Sequence, residues 1–151
     1  MRKKLLIPVI TVIIGTTTGL GIYYWLNPLG GANENLGAGT ILLKGTFVEF
    51  DSSHYGSGTT QIVLLSNGNR QLQFIDVEIA NGPDLYVYLS DKSTFSSIYE
   101  NPGNYVDLGR LHFNTGNFSI NIAETTSLNN IMSVLIWCKQ FSVSFTYAIL
   151  N

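Results

Sequence analysis

Residues 5–26 carry no charged side chain, and the uncharged run continues to Asn33, just before Glu34. A helix needs about 20 apolar residues to cross the hydrocarbon core of a bilayer. Arg2, Lys3 and Lys4 precede the run and no cation directly follows it. The positive-inside rule therefore predicts a cytoplasmic N-terminus, with the rest of the chain outside. Tyr23, Tyr24 and Trp25 fall at the far end of the run, where aromatic rings favour the membrane interface. Residues 1–27 are thus expected to form one N-terminal transmembrane helix that anchors the protein to the cell membrane in a single pass. The competing reading is a cleaved signal segment. Such segments have a shorter apolar core and small residues at the cleavage site, whereas bulky Tyr-Tyr-Trp-Leu stands here. Both readings export the remainder of the chain. Gly15, Gly19 and Gly21 have the small-residue spacing that lets membrane helices approach closely, although glycine is common in such helices anyway.

Residues 28–39 are rich in Pro, Gly and Asn and read as a flexible linker. Residues 40–151 are expected to form one domain. Strand signals recur there with turn signals between them. Strands are expected over 41–50, 61–65, 71–80, 85–89, 105–108, 118–122, 133–138 and 141–150. Asn67-Gly68 marks a tight hairpin. A change of alternation phase near Phe74-Ile75 predicts a bulge. Residues 93–104 read as a loop with room for a short helical turn. A hairpin around Lys139-Gln140 is expected to join the last two strands. In the last, Phe141, Val143, Phe145 and Tyr147 alternate with Ser142, Ser144 and Thr146, which predicts one packed face and one solvated face. About eight short strands without an amphipathic helix point to an all-β fold, an antiparallel β-sandwich or barrel. A domain of this length can bury a real core without disulfides.

Charge excludes one class of partner. Beyond residue 27 there are five basic and ten acidic side chains, leaving the exported part at about −5. Phosphate neutralisation needs clustered Lys and Arg, so no nucleic acid partner is expected. No Ser-His-Asp order, phosphate-binding glycine loop or zinc-protease helix is present, so an independent enzymatic activity has little support.

Few residues can carry chemistry. Cys138 is the single cysteine, which rules out an intrachain disulfide. A neighbouring cation such as Lys139 can favour its thiolate; the alternative is an inert thiol packed as a small hydrophobe. His54 and His112 could ligate haem or a metal, but their spacing is not diagnostic and turn histidines are commoner. Asp76 and Asp84 lie beside turns and could bind calcium, although such carboxylates more often accept backbone N–H bonds. Asn117-Phe118-Ser119 is a formal glycosylation sequon, with Phe118 expected in the core.

Several segments together resemble a known family. Lys44-Gly45-Thr46-Phe47 precedes His54-Tyr55-Gly56-Ser57-Gly58. Asn81-Gly82-Pro83-Asp84-Leu85 opens a strand, and Val106-Asp107-Leu108-Gly109-Arg110-Leu111 and Gly116-Asn117-Phe118 come after it. The chain closes on Ile136-Trp137-Cys138-Lys139-Gln140-Phe141 and Ala148-Ile149-Leu150. In this order, over about residues 43–150, they resemble the DM-thirteen domain family, the electron-transfer DM-thirteen domain. The resemblance implies a β-sandwich-like domain on secreted or membrane proteins. It implies extracytoplasmic redox chemistry, with the characteristic cysteine falling on Cys138.

Two functions stand as expectations. In the first, Cys138 is a redox thiol serving an extracytoplasmic partner protein, with His54 as a weak candidate for binding a cofactor whose identity is unknown. A lone cysteine cannot cycle an internal disulfide and needs a second thiol or a metal, so this reading predicts an accessible sulfur. In the second, the domain is a non-catalytic binding or structural module.

Overall fold

The computed structural model describes residues 29–151. The anchor expected over residues 1–27 lies outside them, and no helix among the described residues is long and apolar enough to cross a membrane.

The described residues form nine strands: β1 (Gly30–Asn33), β2 (Gly39–Glu49), β3 (Gly56–Leu65), β4 (Arg70–Ile79), β5 (Leu85–Ser90), β6 (Tyr105–Arg110), β7 (Phe113–Ile122), β8 (Ser133–Cys138) and β9 (Val143–Ile149). They make one sheet in the order β1-β7-β4-β3-β2-β9-β8-β5-β6. Every pairing is antiparallel except β1 with β7. The long β2 joins the two halves: residues 39–46 pair with β3, and Phe47, Val48 and Glu49 pair with β9. The sheet curls there, so its halves face each other across one core. The expected all-β class holds, and in place of a closed sandwich or barrel of about eight strands there is a single curled, half-barrel sheet of nine.

The ninth strand arises inside the Gly-rich stretch read as a linker. Gly30–Asn33 lies along β7, and the Glu34 amide continues the ladder by donating to the Asn117 carbonyl at 2.8 Å. The Asn-Gly hairpin forms as expected, with the Gly68 N–H donating to the Leu65 carbonyl and Gly68 at φ 86°. The β4 bulge forms too. Pairing with β7 jumps from Phe74↔Phe118 to Val77↔Gly116, and Asp76 adopts φ 48°. Residues 93–104 form a loop with one turn, closed by the Glu100 N–H on the Ser97 carbonyl.

The main core lies between the two halves. From one half come Ile62, Leu72, Phe74 and Phe118; from the other come Leu85, Val87, Val134, Ile136 and Cys138. Phe74 is fully buried and stacks on Phe118 at 4.5 Å and Phe47 at 6.0 Å. A second, smaller cluster holds Tyr88, Phe95, Leu135, Trp137 and Tyr147. β8 sits between them, sending Val134, Ile136 and Cys138 one way and Leu135 and Trp137 the other.

This arrangement corrects the expectation of one solvated face on β9. Ser144 and Thr146 are fully buried. Opposite β8, the register skips from Ile136↔Thr146 to Trp137↔Ser144. Phe145 is thus an extra residue, and the bulge reverses the alternation. Phe145 enters the main core while Tyr147 turns to the second cluster. Thr146 is satisfied there by donating its hydroxyl to the Val48 carbonyl at 2.7 Å. The hairpin turn takes residues 139–142, leaving Phe141 exposed at its tip and Ser142 at φ 53°.

Candidate functional site

β8 ends at Cys138 because the apolar run ends there and residues 139–142 turn the chain into β9. Its side chain lies among core residues, and the sulfur is fully buried as a free thiol. Leu85 and Val143 flank it as the paired residues on either side. Burial pushes the thiol pKa up. Backbone N–H bonds from Phe141, Asp84 and Gln140 act in the opposite sense without prevailing, and the Asp84 charge adds to the rise. A buried protonated thiol is a poor nucleophile, since exchange needs thiolate and access. The accessible sulfur that a thiol-exchange role predicts is not what the fold provides.

The turn before β5 comes to the same place. The Asp84 carbonyl accepts the Lys139 N–H at 3.0 Å, while the Asp84 carboxylate pairs with Arg110. Gly82 has no room for a side chain: a Cβ there would meet the Phe145 ring at 2.7 Å. Phe145 also carries His54, whose ring packs edge-on at 4.9 Å. The polar partner of His54 is Asp51, 3.0 Å from Nδ1, not Cys138. Among the described residues no three of His, Cys, Asp and Glu are grouped to hold a metal ion. His112 is exposed between β6 and β7. Asp76 accepts from the Asn117 amide at 3.2 Å and its N–H donates back to Asn117 at 3.0 Å, so the sequon side chain is engaged in the β4 bulge. Phe118 is in the core as expected.

The Gly82-Pro83-Asp84 turn and the Trp137-Cys138-Lys139 segment, far apart in sequence, therefore close on one another around the sulfur. These are the two segments that most strongly suggest a family. The profile of the electron transfer DM13 domain matches residues 46–150. The chain belongs to the DM13 family. No curated protein and no solved structure matches it.

The sequence gives no direct sign that the other face of β8 contributes to the site. Here the DM13 domain carries an aromatic and charged layer over β5, β6 and β8. Tyr88 is fully buried and stacks on half-exposed Tyr105 with centroids 4.0 Å apart and planes at 12°. Trp137 lies 6.5 Å from Tyr88. Tyr86 sits directly across from Trp137 in the sheet. Lys139 Nζ lies 3.6 Å from the Tyr86 centroid and donates to Asp107 at 2.7 Å. Arg110 approaches the same ring at 5.8 Å. The available signal is the alternation of Tyr86 and Tyr88 with Leu85, Val87 and Leu89. What it lacks is the strand pairing that sets Tyr105 and Trp137 beside them.

Proposed function

We propose that this DM13 domain is held on the outer face of the cell membrane by its N-terminal segment and passes single electrons to or from an extracytoplasmic redox partner. The observation that carries the reading is the meeting of the Gly82-Pro83-Asp84 turn with buried Cys138, one residue from the aromatic layer at Trp137. In this reading Cys138 does not exchange disulfides with the partner. Its sulfur is buried from any thiol in solvent, so its redox role requires a metal-centred partner that exchanges electrons with it through the protein. The uncharged run behind Arg2, Lys3 and Lys4 supports the anchoring.

A second reading has support in the burial of Cys138 itself. A sulfur packed against Leu85 and Val143 is also what a purely structural cysteine requires. The protein would then be a tethered binding module.

The test compares the full chain with Cys138→Ala in isolated membranes. Electron exchange with a soluble one-electron dye is followed by absorbance, and partner capture is followed in parallel. Loss of electron exchange with capture retained supports the redox reading. Unchanged electron exchange and capture would move the assignment to the binding module. Protease added to intact cells should digest the domain if it is outside the membrane.

A further inference from the structure

We propose that Tyr105 and Tyr88 form a hydrogen-atom relay, which carries an oxidising equivalent from the protein surface at β6 into the buried aromatic cluster beside Cys138. The proposal deepens the electron-transfer reading and rests on it for its biological purpose. Its chemistry is argued from the two rings alone.

The geometry has two parts. Tyr105 is 46% exposed, so an external oxidant can reach it, while Tyr88 is 1% exposed and cannot be reached directly. The rings are nearly parallel with centroids 4.0 Å apart, in contact over their faces. Stacking supplies the electronic overlap, and in the relay the phenolic hydrogen passes directly between the two contacting residues. Burial first, then the influence of Tyr105 and of the nearby Asp107 and Tyr86 oxygens, holds the Tyr88 phenol far above its ordinary pKa. Tyr88 therefore stays protonated and cannot give up an electron without passing on its proton. Lys139, the other charged group facing it, lies 5.9 Å from its ring and is paired with Asp107.

The steps balance. A one-electron, metal-centred oxidant takes an electron from Tyr105 and is reduced by one unit, and the Tyr105 phenolic proton leaves to water. The Tyr105 phenoxyl then takes a hydrogen atom from Tyr88. The O–H bond of Tyr88 breaks, that of Tyr105 re-forms, and the radical resides on Tyr88. A cleft of about 330 Å³ lined by Asp91, Asn104, Tyr105, Val106, Asn130 and Ile131 gives such an oxidant a seat against Tyr105. From Tyr88 the next ring in the cluster is Trp137, at 6.5 Å, and Trp137 is bonded through the chain to Cys138.

The test uses the full chain carrying Tyr99→Phe, which removes the other strongly exposed tyrosine among the described residues. The oxidant is photogenerated tris(bipyridine)ruthenium(III), and tyrosyl radical is followed by transient absorption and electron paramagnetic resonance. The relay predicts a long-lived radical on Tyr88. Tyr88→Phe should abolish the long-lived phase and raise dityrosine cross-linking between molecules, because the radical is then confined to exposed Tyr105. Tyr105→Phe should abolish rapid formation of the radical. Both variants keep the ring, and circular dichroism checks that they fold. A radical of unchanged yield and lifetime in Tyr88→Phe would overturn the relay. That result would leave the electron-exchange assay with Cys138→Ala standing on its own, so the two ideas fail separately.

Discussion

The ammonium nitrogen of Lys139 lies 3.6 Å from the centroid of the Tyr86 ring. The same nitrogen donates to Asp107 at 2.7 Å, so one cation closes the aromatic layer from above and ties the β8–β9 turn to β6. A cation over a ring contributes about 0.5–1 kcal/mol at a partly exposed site. The ion pair adds little, because both side chains are about a third or more exposed and water screens them. Lys139→Met should therefore lower unfolding free energy by about 1 kcal/mol in urea titration. Lys139→Arg should recover most of it.

Cys138 should resist a thiol reagent in the folded protein and react at once after denaturation. Its raised pKa gives the direction of a pH effect. The folded state keeps the proton more tightly than the unfolded state, so this contribution is fully present below the ordinary thiol value of 9.0 and is lost as pH rises above it. Comparing urea midpoints at neutral and alkaline pH, on either side of that value, for the native chain and Cys138→Ala checks this. The variant should show the smaller alkaline loss.

Acid should act at Glu100. Its carboxyl is lowered from 4.5 to about 2 by Lys92, by the Ser96 hydroxyl and by the Ser96 N–H. A depressed carboxyl stabilises the fold above its unfolded value, and the contribution fades as pH falls from 4.5 towards 2. Glu100→Gln should flatten the stability profile in that window and leave the alkaline limb alone. Because the carboxylate is only partly buried, added salt should shrink the difference.

Phe74 should be the costliest core position. Its ring is fully buried between Phe47 and Phe118, at the place where the two halves of the sheet meet. Phe74→Ala removes a large side chain that neighbours cannot replace, a change that costs roughly 3–5 kcal/mol. Thermal unfolding monitored by near-ultraviolet circular dichroism should show the loss.

Gly116 holds β1 in place. It sits at φ 97°, and a Cβ would land on the Ala32 carbonyl. Gly116→Ala should release β1 from β7 while leaving the rest of the sheet folded. Amide exchange should speed up at residues 31–34 and stay slow in β8. Uniform loss of protection would contradict a local role.

Much of this fold is legible because its strands obey local rules. Residues 133–138 are almost continuously apolar, and β8 has those bounds. Asn67-Gly68 turns as its backbone preference dictates, and the phase change after Phe74 becomes the Asp76 bulge. Other features depend on distant partners. Gly30–Asn33 has no strand-forming side chains and is ordered by β7, which is remote in sequence. Residues 56–60 are Gly, Ser and Thr, and become strand because β4 pairs with them. Phe145 alternates perfectly in sequence, yet the register across β8 makes it a bulge. Cys138 stands out as the residue to watch, but its burial depends on which face of β8 meets the core. The Tyr88–Tyr105 stack joins strands whose pairing no short pattern encodes.

One strand serving two apolar clusters has a consequence for chemistry. The Cys138 sulfur and the Trp137 indole are neighbours along the chain, yet they belong to different compartments with a peptide backbone as the dividing wall. A molecule that seeps in from the phenol side meets rings and never sulfur. Matter is kept apart at this wall, whereas charge needs to cross only the width of a single chain.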